Sequence, residues 1–115
     1  MMSNHFDRYK RDFSSIEGFF TEEAQAVWDF LFSEQAIMNV AGDFVEIGVY
    51  RGKSAILGSL YLRPDETAVL VDINDPVNAE KIILSLRGPK VAKFVGKSRE
   101  FPRSQLFRDI YSGFR

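Results

Sequence analysis

One stretch limits what this chain can fold into: Phe44-Val45-Glu46-Ile47-Gly48-Val49-Tyr50-Arg51-Gly52-Lys53-Ser54. A short apolar run is cut by two glycines, and Ser54-Ala55-Ile56-Leu57-Gly58-Ser59-Leu60 then resumes with apolar residues at helical spacing. The pattern is strand, tight turn, helix. Such a turn brings bare backbone N–H groups and the positive end of a helix to the carboxyl edge of a sheet, where a small polar or anionic ligand can approach closely. Ala68-Val69-Leu70-Val71-Asp72 supplies a second buried-looking strand that ends in a carboxylate. Asp72 follows Gly48 by 24 positions, close to the interval of roughly 20 residues at which an acid meets a ribose in nucleotide-binding βαβ units. Glycine turn and acid together form a candidate nucleoside site.

Around this unit the chain alternates between strand and helix patterns. Residues 1–15 hold few aliphatics and no sustained period, so an irregular arm is expected there, with His5 as a solvated side chain. Thr21 can cap a helix that opens with Glu22 and Glu23, and Ala24, Val27, Trp28 and Leu31 give it one apolar face as far as about Gln35. Gly42-Asp43 turns into the first strand, Phe44 to Val49, and the helix after the glycine loop should stop before Pro64. Asn74-Asp75-Pro76 opens another helix with proline at a first helical position; Ala79, Ile82, Ile83 and Leu86 face inward and Gly88-Pro89 ends it. Val91 to Val95 is a third strand, closed by Gly96-Lys97-Ser98, and from about Phe101-Pro102 a last helix carries Leu106, Phe107, Ile110 and Tyr111 on one side.

Alternation of this kind predicts an α/β fold, a Rossmann-like parallel sheet with flanking helices, in one domain over residues 16–115. The nearly continuous apolar residues of the first strand read as a central strand buried on both faces. As a bare edge it would expose unpaired backbone groups and several apolar side chains, so a cover for it is expected.

Composition removes whole classes of function. With 15 basic and 16 acidic side chains in 115 residues the formal charge is −1, so no global field draws the chain to nucleic acid or to an anionic membrane. The absence of cysteine excludes a disulfide framework, a thiolate nucleophile and sulfur-ligated metal, and a single histidine excludes a zinc site, leaving only a carboxylate-bound Mg²⁺ open. The N-terminal residues have no apolar h-region and no window approaches 18 consecutive apolar residues, which predicts a cytoplasmic protein.

Spacing within the loop separates three ligand classes. A dinucleotide fingerprint, G-x-G-x-x-G, needs a glycine where this chain has Tyr50, which disfavours NAD or FAD. A P-loop, G-x-x-x-x-G-K-[ST], is nearly met by Gly52-Lys53-Ser54, but only three residues separate Gly48 from Gly52; this reading ranks second. The third class fits without strain. Glu46-Ile47-Gly48-Val49-Tyr50-Arg51-Gly52 resembles the first motif of class I S-adenosylmethionine-dependent methyltransferases, Asp72 matches that family's acid at the end of the second strand, and Gly96-Lys97-Ser98 falls where such enzymes carry another loop near the site. Ile16-Glu17-Gly18-Phe19-Phe20-Thr21-Glu22-Glu23-Ala24, ahead of the glycine loop, looks like the subgroup that includes the macrocin O-methyltransferases.

That resemblance implies S-adenosylmethionine as cofactor and a strand order of 3-2-1. Gly48 and Gly52 would let the backbone approach the methionine part, Glu46 would hold its ammonium group, and Asp72 would accept from both ribose hydroxyls. Ile73 would pack on the adenine or serve as a core residue; Tyr50 would line the site or lie on the surface. Ser98, Arg51 and Lys53 read first as solvated or capping side chains, with Arg51 or Lys53 able to meet the cofactor carboxylate. Members of the family continue through further strands that carry the acceptor pocket and, where Mg²⁺ is used, its ligands. The expectation is therefore an incomplete class I fold: the cofactor-binding half of a methyltransferase acting on a small molecule, without a catalytic base of its own. The rival, from another class, is a non-catalytic interaction module whose open first strand pairs with a second copy or a partner chain.

Overall fold

The computed structural model describes residues 4–86 and 88–111. In chain order the elements are α1 (Asn4–Asp12), α2 (Glu22–Ile37), β1 (Phe44–Ile47), α3 (Lys53–Ser59), β2 (Thr67–Asp72), α4 (Val77–Ser85), β3 (Lys90–Val95), a 3-10 segment (Ser98–Arg103) and α5 (Gln105–Tyr111). The strands form one parallel sheet in the order β1-β2-β3, with Phe44 opposite Ala68 and Asp72 opposite Val95. Ala68, Val69, Leu70 and Val71 are fully buried, since β2 has a strand on each side and helices on both faces. On one face Leu70 and Ala68 meet Tyr9, Ile56, Leu57 and Ile83 from α1, α3 and α4. On the other, Val69 and Val71 meet Phe101, with Phe94, Leu106 and Phe107 packed around them.

Three expectations are corrected. First, the arm is a helix over Asn4–Asp12 and turns only over residues 13–15; residues 1–3 lie outside the described residues, as do residues 112–115 of the domain. Phe6 and Tyr9 are core residues, and Phe13, two turns after Phe6, packs against them: an aromatic stripe substitutes for the missing aliphatics. The Tyr9 hydroxyl donates to the Lys53 carbonyl at 2.7 Å, which ties α1 to the start of α3. His5, exposed but not merely solvated, sets its ring edge-on to Tyr61 with centroids 5.0 Å apart. Burial and the nearby Arg8 lower its pKa, against an upward pull from Asp29.

Second, α2 starts where expected, with the Thr21 side chain accepting from the Ala24 N–H, but it turns a different face inward. Gln25 and Asp29 are buried while Val27 and Leu31 are exposed. The Gln25 side chain donates to the Phe20 carbonyl, and Asp29 accepts from the Tyr61 and Ser33 hydroxyls. With Trp28 and Phe32 against Phe44, aromatic packing and buried hydrogen bonds outweigh the simple apolar stripe. Third, β1 is an edge strand rather than a central one. Its residues are half-buried and Ile47 is 61% exposed; among the described residues no segment pairs with its outer side.

Smaller differences concern ends. Pro76 is the N-cap of α4 rather than its first helical residue, and the last helix begins at Gln105 because Ser98–Arg103 first winds as a 3-10 segment. No helix of the described residues is long and apolar enough to cross a membrane.

Candidate functional site

The parallel register brings the ends of the three strands to one edge. The Gly48 N–H donates to the Val71 carbonyl at 2.8 Å and the Gly96 N–H to the Asp72 carbonyl at 2.9 Å, so Gly48, Asp72 and Gly96 stand side by side where the strands stop. Gly48 has φ +81° and Gly52 φ +90°, both in the left-handed region that glycine tolerates. Tyr50 lies there too, at φ 53°, where a side chain carries a steric cost that the turn must offset. Its offset is visible: Asp72 Oδ2 accepts from the Val49 N–H at 2.8 Å and from the Tyr50 N–H at 2.9 Å. Asp72 Oδ1 accepts from the Asn74 N–H at 3.1 Å. Burial pushes the Asp72 carboxyl up, but the N–H groups of Tyr50, Asn74, Val49 and Ile73 together outweigh it and hold the group below its usual value.

Asp72 is thus first a clasp for the glycine turn. A carboxylate offers roughly four in-plane acceptor positions, and these three bonds, with the Ile73 N–H also drawing on the group, leave at most about one open, on Oδ1. A sugar diol at this edge would meet a single free position on Asp72 unless the turn gave one up. The two N–H groups that a phosphate would want are occupied by a negative charge, which works against an anionic ligand on this side of the turn.

The two glycines do different jobs. A Cβ on Gly48 would meet nothing within 4 Å, so the backbone there is open to an approaching molecule. A Cβ on Gly52 would lie 2.5 Å from the Ala79 Cβ, so Gly52 serves the packing of the turn on α4 and is buried.

Clefts open on both sides of Gly48. One, of about 330 Å³, is bounded by Ile47, Gly48, Asp72, Ile73 and the Gly96–Ser98 loop. Ile73 is 64% exposed there, an apolar surface rather than a core residue, and Ser98 stands at the rim. The other, of about 520 Å³, lies between the glycine turn and an arch formed by Glu17 to Phe20, with Tyr50, Lys53 and Ser54 on its wall. Tyr50 is 58% exposed, and the Arg51 guanidinium lies 5.5 Å from its ring centroid. Arg51 also pairs with Glu17 at 3.3 Å, and it lines a further cleft with Gly48, Tyr50 and Asp72.

Glu46 sits behind the turn, on the face of β1 that looks toward α1 and α3. Its Oε1 accepts from the Ser54 hydroxyl at 2.5 Å, while Oε2 is buried without a hydrogen-bond partner. Burial pushes this carboxyl up to about 7, against the downward pull of the Ser54 hydroxyl and the Ala55 N–H. The same charge, after burial itself, raises the pKa of Tyr9.

Of the seven residues marked from sequence, Gly48, Tyr50, Asp72, Ile73 and Ser98 border the two clefts, Glu46 lies one hydrogen bond behind the wall, and Gly52 is withdrawn into the packing. Sequence reasoning missed Ser54 and the 17–20 arch. Ser54 was within reach of a spacing argument: it is the second residue of the helix after the turn, eight positions past an acid in the strand before it. The arch had no such signal, since its place over the turn comes from the packing of α1 and α2.

No family model, no curated protein and no solved structure matches this chain.

Proposed function

We propose that this chain is the S-adenosylmethionine-binding unit of a class I methyltransferase that modifies a small molecule, with an oxygen atom as acceptor. The observation that carries the reading is a glycine turn held between two carboxyl groups: Asp72 clasps it from the neighbouring strand, and Glu46 lies half-buried behind it with its Oε2 sealed and no ion pair among the described residues. A turn so flanked suits a ligand with hydroxyls and a cationic end and repels a polyphosphate, which favours this reading over the P-loop alternative. The residues fit the group in kind: Glu46 for an ammonium, the open position on Asp72 for a ribose hydroxyl, Ile73 for the adenine face, with Tyr50 and Ser98 at the rim. Bound there, the cofactor would supply an electrophilic methyl group; this chain supplies position and nominates no base.

The uncovered side of β1 suits a sheet read 3-2-1 and continued past β1, where an acceptor pocket and any Mg²⁺ ligands would lie. A cysteine-free composition accords with a cytoplasmic setting. The same open edge favours a second reading, an interaction module that pairs through β1 with another copy.

Thermal shift and calorimetry separate these. S-adenosylhomocysteine should raise the melting temperature and ATP with Mg²⁺ should not. Asp72→Ala should weaken S-adenosylhomocysteine binding by roughly 10- to 100-fold, since hydrogen bonds to a charged group contribute about 1.5–3 kcal/mol. Stabilisation by ATP with Mg²⁺ alone would replace the reading with a nucleotide-binding one, and no stabilisation by either would favour the interaction module.

A further inference from the structure

Glu46 is a carboxyl in a place that suits a neutral group. Its Oε2 is buried and has no donor, so an anion there would leave half of its charge without solvent or hydrogen bond. The groups on its side of the sheet do little to compensate. From α1 comes Tyr9, whose hydroxyl is already given to the Lys53 carbonyl. From α3 come Ser54, which donates to Oε1, the Ala55 N–H, a smaller pull than that of Ser54, and Lys53, whose side chain packs beside Gly18 and forms no ion pair with Glu46 among the described residues. β2 places Leu70 opposite it, and Asp72 turns its carboxylate to the loop N–H groups. From the arch, Glu17 is engaged by Arg51. Glu46 lines neither cleft itself, but Ser54, its hydrogen-bond partner, lines the one beneath the arch, which leaves the carboxyl a single side chain behind that wall.

We propose that Glu46 carries a proton in the unliganded protein and releases it to solvent when a ligand ammonium group enters the cleft beside Gly48 and Ser54, so that cofactor binding and proton release are one linked event. This rests on the S-adenosylmethionine reading and adds a pH dependence to it. The raised carboxyl, at about 7, sets the window. Below it the protein must lose a proton in order to bind, so affinity rises with pH; above it the carboxylate is already formed and the slope vanishes. Stability of the free protein runs the other way. A carboxyl that holds its proton more tightly in the fold than its ordinary 4.5 stabilises fully below pH 4.5, and this contribution is lost as pH rises toward about 7.

Calorimetry with S-adenosylhomocysteine, and with 5′-methylthioadenosine as a probe that lacks the ammonium, tests the linkage between pH 5 and 7.5. The homocysteine compound should bind about tenfold more tightly per pH unit up to about pH 7 and then level off, with about one proton released at the acidic end. The thioadenosine should show a flat profile. Glu46→Gln should flatten the first profile, and Ser54→Ala, which removes a donor from the carboxylate, should shift its midpoint to higher pH. Carbon-13 NMR of the free protein should show one glutamate carboxyl titrating near neutrality that Glu46→Gln removes. A flat profile for bound S-adenosylhomocysteine, or a slope that survives in Glu46→Gln, overturns the linkage and leaves the cofactor reading standing. Failure of both compounds to bind overturns the cofactor reading and the linkage with it, even if the NMR titration is seen.

Discussion

The sheet has two edges, and they are built differently. β3 carries Lys90 and Lys93, and the Lys93 ammonium is held between Asp75 at 2.7 Å and Glu80 at 3.0 Å, which joins the strand to the loop after β2 and to α4. Lysine is a common means of discouraging another strand from pairing with an open edge. β1 has no basic residue: it reads Phe44-Val45-Glu46-Ile47, its one charged type is turned inward, and its apolar tip faces solvent. β3 also ends on an exposed Val95, but its middle is guarded. One edge is finished and the other is suited to further contact. Exposed Val40, just past α2, lines a cleft with Phe44 and Val45 at the start of β1.

Substitutions along the sheet test that contrast. The largest effect belongs to the strand between the edges: Leu70→Ala, at a fully buried position, should cost about 2–5 kcal/mol in urea unfolding. A loss under about 1 kcal/mol would mean that β2 is not the fixed centre from which the edges differ. At the guarded edge, Lys93→Ala should lower the melting temperature, and the difference should shrink at about 1 M salt, where the screening length falls to roughly 3 Å. A salt-independent difference would point to packing of the lysine stem instead of its ion pairs. The smallest effect on stability is expected at the open edge, where Ile47→Lys should stay within about 0.5 kcal/mol and, on the reading in which β1 pairs with a second copy, should reduce self-association in sedimentation velocity. A cost well above that would show that the tip of β1 is covered in solution, and an unchanged sedimentation profile would remove β1 as the contact.

The elements with a clean period were legible: the strand, glycine turn and helix from Phe44 onward, the apolar second strand ending in Asp72, and the Ala79, Ile83 face of α4 all stand as the pattern requires. What failed did so for identifiable reasons. The first helix is held by Phe6 and Tyr9, with Phe13 just past its end, among charged residues, a stripe too sparse to register as a period. The face of α2 was misjudged because Gln25 and Asp29 are satisfied by specific partners, information that resides in Phe20 and Tyr61 and not in the helix itself. At the site, an acid at the strand end was legible but its engagement with the turn was not. That depends on Tyr50 adopting a left-handed conformation, which no residue type announces.

One bond described above bears on how this protein can be handled. The first dozen residues look dispensable on paper, charged and short of aliphatics, and would be an obvious stretch to trim for crystallisation. Removing them would take away the Tyr9 phenol and with it a prop under Lys53, 44 residues further on and beside the glycine turn. A shortened version could then keep its sheet and still report a slack, misleading pocket.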